Sequence, residues 1–114
     1  MAWLREVEGR SIYISAVSMG EIQAGIELTR EQDSAKAAAI ESWADEIIEN
    51  WNILPMDTAT FRLWAKLMHR RSEALINDAM IAATARVHGL RIVTRNVRDF
   101  KDFGVEVINP YAAR

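Results

Sequence analysis

The chain switches repeatedly between two hydrophobic periods, and that alternation constrains its fold more than any other feature. Ile12-Tyr13-Ile14-Ser15, Asn52-Ile53-Leu54-Pro55, Leu90-Arg91-Ile92-Val93-Thr94 and Val105-Glu106-Val107-Ile108 are β-branched or apolar runs of strand length. Between them lie stretches with helical spacing. The Ser18-x-x-Glu21 pattern matches a capping box opening a helix with Ile22, Ile26 and Leu28. A longer helix over Asp33–Asn50 carries Ala37, Ile40, Trp43, Ala44, Ile47 and Ile48 on one face. Asp57 or Thr58 caps a helix reaching about Arg70, and Asn77-Asp78 starts an Ala-rich helix that Gly89 ends. Residues 2–8 read as a short helix closed by Gly9, and the run RNVRDFKDFG reads as a loop. Strand–helix–strand order requires crossovers, so the expected class is α/β, a parallel sheet with helices on both faces.

The 114 residues allow one compact domain, and no repeat or linker divides them. The absence of cysteine excludes a disulfide scaffold, a thiolate metal site and a cysteine nucleophile. No apolar run approaches the ~20 residues needed to cross a bilayer, and the first residues lack the apolar core of a secretory signal. A cytoplasmic soluble domain is expected. With 14 Lys and Arg against 16 Asp and Glu, the net charge of −2 argues against a general nucleic-acid-coating protein. Contact with phosphates must come from a local patch or a bound cation.

Ligands of an open parallel sheet collect at the carboxyl ends of its strands. Three acids follow such ends: Glu21 after strand 12–15, Asp78 at the start of the Ala-rich helix, and Asp99 in the loop after Thr94. Each has a structural reading. Glu21 can serve as the capping-box partner, Asp78 can answer the positive end of its helix, and Asp99 can be a solvated loop acid. Together they can converge on one crevice, where like charges resist ionising unless a cation lies among them. Oxygen ligands without Cys select a hard ion, Mg²⁺ or Mn²⁺, which can activate water for in-line hydrolysis of a phosphodiester.

Other groups divide between structure and substrate contact. Arg62, Lys66 and Arg70 recur at i, i+4, i+8, a solvated face or, with His69 and Arg71, a guide for an RNA backbone. Arg95 and Arg98 lie nearer the acids and are the candidates for substrate phosphate. His88 answers a helix dipole, Asp57 is an N-cap, and Ser15 and Ser18 lack a histidine at useful spacing. Trp43, Trp51, Trp64 and Phe61 read as core or interface residues. Surplus apolar surface on 18–29 and 33–50 reads as a dimer face. No Gly-rich phosphate loop follows a strand, which argues against a nucleotide-binding domain.

At YISAVSMGEIQAGI, INDAMIAATARVHGLRIVTRNVRDF and VEVINPY the chain resembles PIN-domain proteins of the VapC-toxin and FitB-like group, in order along essentially its whole length. The resemblance implies a three-layer α/β/α domain, a Mg²⁺- or Mn²⁺-dependent ribonuclease, and a homodimer. Such proteins are usually the toxin half of a pair with a VapB-like antitoxin. Position by position, Glu21 matches the family's second acid and Asp78 its third. The fourth falls on Asn96 or Asp99, with Asp99 favoured as the charge and Asn96 as a polar second ligand or water-holder. The family's first strand ends in an Asp-Thr-Asn-type motif that supplies the first ligand. Here MAWLREVEGRSIYIS corresponds to the helix after that strand, and Glu6 and Glu8 are exposed helix acids that do not replace it. The expectation is one PIN-like domain over 1–114 without that strand, leaving a gap between strands 12–15 and 90–94 with unpaired backbone on both sides. Two functions follow: an endoribonuclease, or an inactive remnant that dimerises and binds an antitoxin.

Overall fold

The computed structural model describes residues 3–5 and 12–110. It has the expected α/β class, built as a five-stranded sheet of order β3-β2-β1-β4-β5. β2 (Ile12–Ser15) pairs in parallel with β3 (Asn52–Leu54), and β4 (Arg91–Val93) pairs in parallel with β5 (Val107–Ile108). Between the two parallel pairs lies β1, Trp3–Arg5, antiparallel to both neighbours.

β1 corrects two expectations. Residues 3–5 form a strand rather than a helix, and the gap between 12–15 and 90–94 is filled. Gly9, Glu6 and Glu8 lie outside the described residues. The direction of β1 follows from its connection. Only residues 6–11 separate Arg5 from Ile12, whereas a parallel neighbour needs a crossover of about a dozen residues or more. The sheet is therefore mixed. Leu4 sits opposite Tyr13 on one side and Ile92 on the other, and is wholly buried among Ala79, Ala82, Ala85, Phe100 and Phe103.

Helices α1 (Ala16–Arg30) and α2 (Ser34–Asn50) form a hairpin. Ser15 caps α1 by accepting the Val17 amide at 3.1 Å, and Asp33 caps α2 by accepting that of Lys36 at 3.0 Å. The capping box expected at Ser18–Glu21 does not form, because β2 turns into helix at its own last residue, three positions earlier. Ser18 is buried within α1, and its hydroxyl has no partner among the described residues. Ile26, Ala37 and Ala44 pack the hairpin with Met19, Ile22 and Ile40. Arg30 closes it by pairing with Glu27 at 3.0 Å and Glu41 at 3.1 Å.

α3 (Thr58–Met68) packs on α4 (Ile76–Val87), joined by a 3-10 turn over Glu73–Leu75. α3 ends before Arg70, which adopts a left-handed φ of 61° just beyond it. The alanines of α4 are the short side chains that let it lie close to the sheet, and Gly89 (φ 67°) turns the chain out of it into β4. The run expected to be a loop after Thr94 contains α5 (Val97–Phe100) and a 3-10 turn over Lys101–Phe103, anchored by buried Phe100 and Phe103.

Candidate active site

β2 and β4 point their carboxyl ends the same way, and the chain leaves both toward acids. β2 runs directly into α1, which places Glu21 on its second turn, exposed. β4 leads through Thr94 to a turn in which the Asn96 amide donates to the Thr94 hydroxyl at 3.1 Å. The Asn96 carbonyl accepts the Asp99 amide at 3.2 Å, so Asn96 builds the turn that presents exposed Asp99 on α5. Arg95 and Arg98 are exposed on the same segment. Asp78 lies in the first turn of α4, half-buried.

Two observations bring these elements together. The Asn77 side-chain amide donates to the Glu21 carboxylate at 3.4 Å, across from α4 to α1. The Asp78 carboxyl is pushed above its ordinary value, first by burial and then by the negative charges of Asp99 and Glu21. Asp78 therefore feels the charges of both other acids. In the sequence Asn77 is legible only as a helix start, because its partner is 56 residues away.

The donor set is all oxygen and its charges repel, which fits a hard divalent cation in kind and in sign. Among the described residues, no three His, Cys, Asp or Glu side chains stand close enough together to hold an ion. β1 crosses the middle of the sheet with Trp3, Leu4 and Arg5, and adds no carboxylate.

The remaining candidates have structural places. Asp57 caps α3, its carboxylate accepting the Thr60 amide at 2.9 Å and hydroxyl at 2.7 Å. His88 caps the end of α4, its amide donating to the Thr84 carbonyl at 3.2 Å. Trp64 is half-buried and meets Phe61 edge to face at 6.2 Å. Phe61, Trp43 and Trp51 are exposed at 47%, 48% and 42%, which places them on the surface of the chain rather than in its core. Among the described residues, no helix is long and apolar enough to cross a membrane.

The chain is similar to several known proteins. It is 29% identical over 122 residues to the VapC ribonuclease Y4jK of Sinorhizobium fredii, covering 97% of this chain and 83% of that protein. It is 28% identical over 117 residues to the toxin FitB of Neisseria gonorrhoeae, covering 97% of this chain and 84% of that one. The crystal structure of FitAcB from Neisseria gonorrhoeae superposes with a TM-score of 0.75 at 28% identity, over 89% of this chain and 76% of that one. The family model of the PIN domain matches residues 1–106. A match over so much of the sequence, together with that superposition, shows that the chain belongs to the PIN-domain family.

Proposed function

We propose that the chain is a Mg²⁺- or Mn²⁺-dependent endoribonuclease, the toxin component of a type II toxin–antitoxin system. The observation that carries the reading is the match of the PIN-domain family model to residues 1–106, and the burial of Asp78 near the charges of Asp99 and Glu21 supports an acidic site. The names of relatives as ribonuclease and toxin support the substrate class. Glu21, Asp78 and Asp99, which stand too far apart to hold an ion as they lie, would have to draw in around it; when bound, the ion would supply an activated water and a Lewis acid for the scissile phosphate. Asn77 orients the Glu21 carboxylate, and Asn96 sets the turn that aims Asp99. Asn96 is also the polar second ligand or water-holder of this reading. Arg95 and Arg98, on the Asp99 segment, receive the substrate phosphate. The same reading makes residues 1–114 one PIN-like domain, a cytoplasmic homodimer inhibited by a VapB-like antitoxin.

One observation favours a second reading. The central strand carries no carboxylate, which suits a module that binds an antitoxin without cleaving RNA. A single assay separates the two. Purified protein, stripped of metal, is incubated with labelled RNA in Mn²⁺, in EDTA, and as Asp78→Asn. The first reading expects cleavage in Mn²⁺ alone, lost in EDTA and in the variant. Cleavage surviving both removes the metal assignment, and no cleavage in Mn²⁺ leaves the binding module.

A further inference from the structure

The outward face of α3 takes no part in the site described above. Trp64, Leu67 and Met68 turn toward the core, while Phe61, Arg62, Ala65 and Lys66 are exposed. At the start of the helix, Met56, Asp57, Thr58, Phe61, Arg62 and Ala65 line an open hollow of about 600 Å³. Phe61 forms one wall of it, braced from behind by its edge-to-face contact with Trp64. The one acid in the hollow, Asp57, is turned onto the helix end by its bonds to Thr60.

From this hollow two cations follow along the helix, and a third stands just beyond its end. Arg62 and Lys66 are one turn apart, and Arg70 follows four residues later. None of the three enters an ion pair among the described residues. Arg71, by contrast, is a structural tie: it donates to the Asp102 carbonyl at 3.2 Å and lies 5.4 Å over the Phe103 ring. Arg70 holds a left-handed φ of 61°, a conformation the chain otherwise gives to Gly89 and Gly104 among the described residues. A side chain kept where glycine fits without strain points to a use for that side chain. Two contacts tie this part of the chain to the segments that carry the acids. The Trp64 indole donates to the Ile76 carbonyl at 3.3 Å, two residues before Asp78, and Arg71 grips Asp102, three residues after Asp99.

We propose that this face of α3, with the turn that follows it, is a track for single-stranded RNA, with one base stacked on Phe61 and phosphates on Arg62, Lys66 and Arg70. An exposed aromatic ring followed by unpaired cations matches single strands, whose bases are free to leave the stack. An A-form duplex keeps its bases paired and would leave Phe61 without a partner. The track rests on the ribonuclease reading and gives it a surface on which RNA is held.

The test is binding of a fluorescent single-stranded oligoribonucleotide to the intact protein in EDTA, across a series of salt concentrations. The triple variant Arg62→Gln/Lys66→Gln/Arg70→Gln is expected to bind more weakly and to flatten the slope of log K against log salt by about 2, at roughly 0.7 per phosphate contact. Phe61→Leu is expected to weaken binding about tenfold with the slope unchanged. Lys36→Gln on α2 is expected to change neither. If the triple variant melts early, Lys66→Gln alone is expected to lower the slope by about 0.7. An unchanged slope in these variants overturns the track, as does equal competition by duplex RNA or by polyglutamate. Mn²⁺-dependent cleavage together with an unchanged slope leaves the ribonuclease reading standing and removes the track. Row-dependent RNA binding without cleavage does the reverse.

Discussion

Asp57 holds the first turn of α3 with a single carboxylate oxygen, which accepts both the amide and the hydroxyl of Thr60. Those bonds favour the ionised form and hold its pKa below the ordinary value. A depressed folded-state pKa means that the carboxylate stabilises the fold fully above the unfolded value. The contribution is lost as pH falls through the folded one. Asp57→Ala is therefore expected to lower Tm at neutral pH, with the gap to the parent closing as pH drops below about 4. Thermal melts across that range check it, and a gap that persists in acid would contradict it. Such caps are partly legible in a sequence, since Asp57 and Asp33 stand immediately before their helices. Ser15 and Ser18 show the limit. Both precede helical residues, and only the point at which β2 stops pairing decides which one caps α1.

β1 shows how an element can be set by its surroundings. Residues 3–5 lie in the run WLREVE, whose Leu, Arg and Glu are good helix formers, so local propensity reads helix. In the fold, the same residues meet two buried strands with backbone groups to satisfy, and pairing on both sides outweighs propensity. Leu4 supplies the side-chain half of that bargain, at 0% exposure over α4. Leu4→Ala should cost about 2–5 kcal/mol in urea unfolding, the range for a fully buried leucine. A loss under about 1 kcal/mol would mean that β1 contributes little to holding the sheet centre. The parallel pairs, by contrast, were readable in advance. β2 and β3 are joined through two helices, and a connection of that length returns a strand in the same direction.

For the whole molecule, acids from distant parts of the sequence share one region, which binding of a cation would relieve. If Mn²⁺ binds the folded chain, metal at a hundred times its Kd should add about 2.7 kcal/mol of stability, visible as a rise in Tm. EDTA should abolish the rise, and Asp78→Asn should not show it. An equal rise in that variant would move the ion elsewhere. By itself the sequence determined the α/β class, the approximate spans of α1 to α4 and the acids following β2 and β4, because hydrophobic period, caps and crossover lengths are local properties. Only the tertiary structure decided that Trp3–Arg5 fills the sheet centre in reverse, that Asn77 meets Glu21, and that Asp78 feels Asp99 and Glu21. Each of those depends on what lies opposite in space. Backbone satisfaction and charge repulsion act across a few ångströms, whatever the separation along the chain.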